Sequence, residues 1–207
     1  GGAPFAVNYR REVFLPAHAR KTTQLTVDPD VSSRTWAITF SSPAGNAAKE
    51  VDLRRYFAPA PLLLLLSENP LLAPFSGTSQ SRLIAMSPGE LAADPRALLG
   101  VSHIILYDQA LRDLSRAQLA ALDTWLIAGG RLIIFGSLNF ALYQEAALSR
   151  FLPVRVTGTR RINFTPEMGK DQRPVRLTGV LAQEAKLTNG KALIELDGMP
   201  ILVEASR

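Results

Sequence analysis

The sequence contains no cysteine, which excludes disulfides, thiolate-bound metals and a thiol nucleophile. Histidine is nearly as scarce, with two in 207 residues. His18 lies in a polar loop without a second histidine nearby, so it gives no basis for a metal site, and none is expected. No apolar run approaches the ~20 residues of a membrane helix. The longest, over 60–66, is interrupted by Pro61. The first residues lack the apolar centre of a secretory signal. Neither GxGxxG nor GxxxxGK[ST] occurs, so the two common phosphate-cradling loops are missing and no cofactor is implied. Charge of one sign is not blocked either. The net charge is +5, from 23 Lys and Arg against 18 Asp and Glu, and the basic residues are scattered in pairs such as Arg10–Arg11, Arg54–Arg55 and Arg160–Arg161. Without a run of like charges there is no clear nucleic-acid signal.

What is present is a sizeable apolar fraction, 47% against 20% charged, enough to build a core. Its best-marked stretch is 102–140. Ser115 and Gln118 have the spacing of a capping box, and Leu114 and Leu119 that of a hydrophobic staple. Leu119, Leu122, Trp125 and Leu126 make one helical face. Gly129 and Gly130 supply a left-handed stop. Apolar strands at 103–107 and 132–135 flank this helix, which makes a parallel βαβ step. Upstream, a Pro-rich linker over 58–61 precedes the run 62–66, apolar on both faces as a central parallel strand would be. A further strand is expected at 83–86. Asn69–Pro70 opens a short helix to about 75, Ser87 and Glu90 form another capping-box pattern, and 139–150 reads as a helix. Four such units fit a flavodoxin-like α/β layer.

The flanks alternate with period two. Residues 12–15, 23–27, 35–40 and 49–53 read as short antiparallel strands, with a turn cluster at 42–46. About four strands are fewer than the seven or so of a typical sandwich, so 1–57 is expected to be part of one. Near the C-terminus, 173–181 is one strand or a pair, 188–191 is a turn, and 193–203 is a hairpin turning at Asp197–Gly198. The expected division is a β-rich segment at 1–57 and an α/β domain with C-terminal hairpins at 58–207.

In an open α/β sheet, ligands bind beyond the C-terminal strand ends. Those ends carry Ser67, Glu68, Asn69, Ser87, Asp108, Gln109, Ser137 and Asn139. They form a candidate ligand pocket, though the same residue types also cap helices and close turns. Ser137 follows a strand and precedes a helix, as a nucleophile would. A nucleophile elbow reads G-x-S-x-G, whereas here the sequence is Phe135-Gly136-Ser137-Leu138-Asn139. Neither histidine is placed as its base, because His103 starts its strand and so lies at the opposite end. No catalytic residue is assigned.

The positions Tyr107–Asp108, Leu114–Ser115, Gln118, Ala121–Leu122, Trp125 and Gly129–Gly130 resemble a pattern in the class I glutamine amidotransferase-like domains of bacterial membrane-anchored envelope proteins. The likeness covers about 62–154. It implies a flavodoxin-like fold, often preceded by a β-sandwich. True amidotransferases use a cysteine with a histidine and a glutamate; with no cysteine here, the resemblance implies a catalytically degenerate relative. The functional expectation is a non-catalytic interaction or scaffold module within a larger membrane-anchored protein. Its partners would be proteins or other domains of the same polypeptide, with membrane contact only through segments outside this chain. The resemblance places it on the extracytoplasmic face of a bacterial membrane, with the cytoplasm as the alternative. The competing function is a small-ligand-binding or hydrolytic domain using the strand-end pocket.

Overall fold

The computed structural model describes residues 8–23, 25–27, 35–54, 60–67, 81–107, 113–136, 139–165 and 176–206. The chain divides into two compact units, Gly1–Pro59 and Ala60–Arg207.

In the first unit, β1 (Thr35–Ser42) and β2 (Gly45–Asp52) form an antiparallel hairpin. Trp36, Ile38 and Phe40 stand on one face opposite Val51, Lys49 and Ala47. The Ser42 hydroxyl closes the turn, donating to the Gly45 carbonyl (3.1 Å) and accepting from the Ala44 N–H (3.2 Å). The strands expected at 12–15 and 23–27 do not form among the described residues, which are irregular there. Alternation makes a strand only where a neighbour supplies the hydrogen-bond ladder.

The second unit is mixed α/β. Its centre is a four-stranded parallel sheet of β3 (Leu62–Leu66), β4 (Arg82–Met86), β5 (Val101–Leu106) and β6 (Arg131–Ile134), in the order β4-β3-β5-β6. One face of the sheet carries Leu64, Leu66, Ile104 and Leu106, packed with Ala121, Leu122 and Trp125 of α1 (Arg116–Ile127). Each buried Leu or Ile side chain contributes about 1.5–3 kcal/mol on burial, which makes this the dominant stabilising cluster of the unit. The pairing of β3 with β5 slips between Leu62 and Leu63, leaving Ser102 as an extra residue. The Ser102 hydroxyl donates to the Leu62 carbonyl at 3.0 Å and so closes the irregularity.

Helix α1 begins and ends as its sequence dictates. The Ser115 N–H donates to the Gln118 side-chain oxygen (2.8 Å), and the Gln118 N–H to the Ser115 hydroxyl (3.2 Å). At the other end the Gly130 N–H reaches the Trp125 carbonyl and the Gly129 N–H the Leu126 carbonyl, both at 3.0 Å. That is the Schellman pattern, with Gly129 in the left-handed region at φ +99°. The second glycine has a different cause. A Cβ on Gly130 would lie inside the Trp125 ring, so the indole demands a glycine there. The Trp125 indole N–H donates to the Val101 carbonyl at 3.0 Å, which ties the end of the helix to the start of β5.

The helix expected over 139–150 is replaced by a 3₁₀ turn, Phe140–Gln144, and a single helical turn, α2 (Ala146–Ser149). Glu145 between them is extended, at φ −64° and ψ 135°. Tertiary anchors override the local preference: the Tyr143 hydroxyl donates to the Phe135 carbonyl (2.7 Å) and the Gln144 amide to the Val156 carbonyl (3.3 Å). The short helix expected after Asn69–Pro70 lies outside the described residues.

Two antiparallel hairpins complete the unit. β7 (Val154–Phe164) pairs with β8 (Leu177–Leu187), and β9 (Lys191–Leu196) with β10 (Met199–Glu204). The β9–β10 turn has Asp197 and Gly198 at φ +50° and +73°, the both-positive geometry that suits strand twist. Among the described residues, no helix is long and apolar enough to cross a membrane.

Candidate functional site

The parallel sheet sets two ends where a site can be built. At the C-terminal ends, the ladder runs one residue past the strands: Ser67 N–H donates to Met86 (3.2 Å), Tyr107 N–H to Leu66 (3.2 Å) and Phe135 N–H to Leu106 (3.1 Å). Tyr107 and Phe135 meet there edge to face, with ring centroids 6.1 Å apart.

Of the residues proposed from the sequence, Ser67, Ser87 and Asn139 are described. Glu68, Asn69, Asp108, Gln109 and Ser137 lie outside the described residues. Ser67 is buried, 4% exposed, at the end of β3. The register of Leu66 with Met86 makes Ser67 and Ser87 neighbours at adjacent strand ends. Ser87 donates its N–H (2.8 Å) and its hydroxyl (3.0 Å) to the Glu90 carboxylate, so it serves the 3₁₀ turn Pro88–Glu90. Asn139 follows β6, a strand that β5 separates from β3 in the sheet. Its carbonyl accepts from the Leu142 N–H at 3.3 Å and starts the 3₁₀ turn. The structure thus brings Ser67 and Ser87 together and uses Asn139 to start the 3₁₀ turn after β6.

Sequence reading missed the wider role of Gln118. Besides closing the capping box, its amide donates to the carbonyls of Leu91 (2.8 Å), Pro88 (3.1 Å) and Gly89 (3.4 Å). It is 7% exposed and locks the start of α1 onto the loop after β4. The available signal was a Gln where Glu also suits the box: only the amide brings donors for buried carbonyls.

At the opposite, N-terminal end of the sheet is a shallow cleft of ≈ 310 Å³ lined by Pro61, Leu99, His103, Trp125, Gly130 and Arg131 among others. His103 and Arg131 are register partners on neighbouring strands, so they share a face. His103 Nδ1 lies 3.0 Å from the Ser102 hydroxyl oxygen. Since that hydroxyl donates to Leu62, the contact is one in which Nδ1–H donates to the hydroxyl oxygen. His103 is therefore oriented by the strand irregularity. Among the described residues no group of three His, Asp or Glu converges as a metal would require. The exposed Arg54 guanidinium is held above its ordinary range, first by its hydrogen bonds to the Asp52 carboxylate and then by that charge.

No family model matches the sequence, and no curated protein matches it. Among solved structures, an exo-β-1,4-mannosidase from Opitutaceae bacterium strain TAV5 is similar over 73% of this chain, with 16% identity and a TM-score of 0.43. The similarity covers 30% of that enzyme, so the chain spans less than a third of its length, and likeness at this level does not extend to activity.

Proposed function

We propose that the 60–207 unit is a catalytically degenerate, flavodoxin-like module of the amidotransferase-like kind, which works by binding protein partners or other domains of its own polypeptide. The carrying observation is that its best-placed polar side chains close the fold on itself. Gln118 satisfies three carbonyls of the loop after β4. Trp125 holds Val101, Ser102 holds Leu62, and Ser87 is bonded to Glu90. The flavodoxin-like assignment is supported by the strand order. In chain order it is second-first-third-fourth, as in that fold, with the reversal between β3 and β5. The lack of cysteine supports the degenerate assignment. On this reading the module sits on the extracytoplasmic face of a bacterial membrane, with membrane contact made by segments outside this chain.

The purified chain should turn over neither glutamine nor nitrophenyl ester, phosphate or glycoside substrates above background. A rate that Ser67→Ala or Asn139→Ala removes would overturn this reading in favour of a hydrolytic or ligand site at the strand ends.

A further inference from the structure

The net charge is not spread evenly. In the strands and flanks of the β7–β8 arm, residues 154–165 and 176–187, there are five Lys or Arg against one carboxylate, Glu184. That region alone accounts for +4 of the chain's +5. The register orders these charges. Val156 and Ala185 are opposite each other and buried, so their row faces the core. The rows on either side, Arg155 with Lys186 and Gly158 with Glu184, therefore face away; Arg160 with Ala182, two rows further on, lies on the same side, and its guanidinium is 3.7 Å from the Met199 sulfur of β10. Arg155 and Lys186 are both exposed and directly opposite, a like-charge pairing that destabilises a sheet. Among the described residues neither makes an ion pair within 4.0 Å. Further along come Ile162 with Val180 and Phe164 with Leu177; Ile162 is buried, whereas Val180 and Leu177 are 38% and 37% exposed.

We infer that this face of the arm is where the partner docks, and that the partner is an acidic protein segment with aliphatic side chains among its carboxylates. The inference rests on the interaction-module reading and names its surface. Three features select a protein over a nucleic acid. Two of the three cations on this face, Arg155 and Arg160, are Arg, whose planar fork matches a carboxylate and which is enriched in protein interfaces. Exposed aliphatic groups adjoin them, which a phosphate backbone does not use. Finally, Glu184 stands between Arg155 and Arg160. Gly158 opposite has no side chain, and a Cβ there would lie 3.5 Å from the Glu184 carboxylate. A carboxylate in the middle of the row repels successive phosphates but accepts a Lys or a backbone N–H of a protein. A lone phosphate or a lipid headgroup would not need the aliphatic end.

The test uses the whole chain and a synthetic peptide of alternating Glu and Val, 11 residues long like β7. Binding should weaken between about 50 mM and about 300 mM salt. It should fall ~tenfold or more in the variant carrying Arg155→Glu and Lys186→Glu. The same peptide with Lys for Glu, a short duplex DNA and phosphatidylserine vesicles should bind more weakly than the acidic peptide. Tighter binding of the DNA or the vesicles, or no binding of the acidic peptide, overturns the assignment. Peptide binding that survives the charge reversal moves the docking surface off the arm and leaves the interaction-module reading standing. Only turnover that depends on Ser67 or Asn139 removes that reading, so the two failures are distinguishable. Thermal unfolding of the charge-reversed variant at the wild-type temperature shows that lost binding is not lost folding.

Discussion

The parallel sheet with α1 and the β7–β8 arm belong to one unit but use their polar side chains in opposite ways. In the sheet, Gln118, Trp125 and Ser102 all donate to main-chain carbonyls distant in sequence. The buried apolar side chains then stabilise a framework whose polar groups are already satisfied. The arm has long strands of 11 residues each, but Arg155 and Lys186 face solvent and its aliphatic Leu177, Val180 and Leu181 are only partly covered. One region is built for stability and the other carries surface chemistry, and substitutions in the two should separate along that line.

The largest effect is expected at Trp125, 3% exposed and bonded to Val101. Trp125→Ala should cost about 3–5 kcal/mol of unfolding free energy by urea denaturation. Truncating the arm's exposed Leu181 to Ala should stay within about 0.5 kcal/mol. Similar losses at both sites would break the contrast. Next comes Gln118. Gln118→Glu keeps the acceptor for the Ser115 N–H but removes the donors to Pro88 and Leu91, and should cost about 2–3 kcal/mol. Were Gln118 only a cap, Glu would do as well. Equal stability of that variant would therefore reduce the residue to its local role.

The sequence made α1 legible because every signal for it is local. Ser115, Gln118, Gly129 and Gly130 act within a few residues of one another, and each does what its type and spacing imply. The Asp197–Gly198 turn is legible for the same reason. What could not be read depends on partners distant in sequence. The order of the strands, the breaking of the 139–150 helix by Tyr143 and Gln144, and the reach of Gln118 to Leu91 are all tertiary. The two early strands were misread because alternation at 12–15 and 23–27 says nothing of a neighbour to pair with. At the candidate site, the strand-end rule named Ser67 and Ser87 among eight polar residues, but that the two are neighbours follows from the β3–β4 register. The arm's cationic face was hidden for another reason. Arg155 and Lys186 are 31 residues apart, and the irregularity between Val156 and Gly158 decides which later residues share their face.

A smaller effect is expected at the helix stop. Gly129→Ala places a Cβ at φ +99° with open space around it, so the cost is conformational alone, about 1–2 kcal/mol. A loss of several kcal/mol would mean that the stop is also packed.

The smallest effect on stability has the opposite sign and sharpens the comparison most. Arg155→Glu replaces a like-charge cross-strand pair with an opposite-charge one, since Lys186 stands directly across. Opposite charges in that position stabilise a sheet by about 0.2–1 kcal/mol relative to a neutral pair, and like charges destabilise it. The variant should therefore unfold at a slightly higher urea midpoint than the wild type, and the gain should shrink as salt is added. It should at the same time bind the acidic peptide more weakly. A residue that lowers stability while strengthening binding is a surface kept for a partner. If Arg155→Glu instead lowers the midpoint, Arg155 contributes to the arm's own fold, and the arm joins the sheet on the structural side of the contrast.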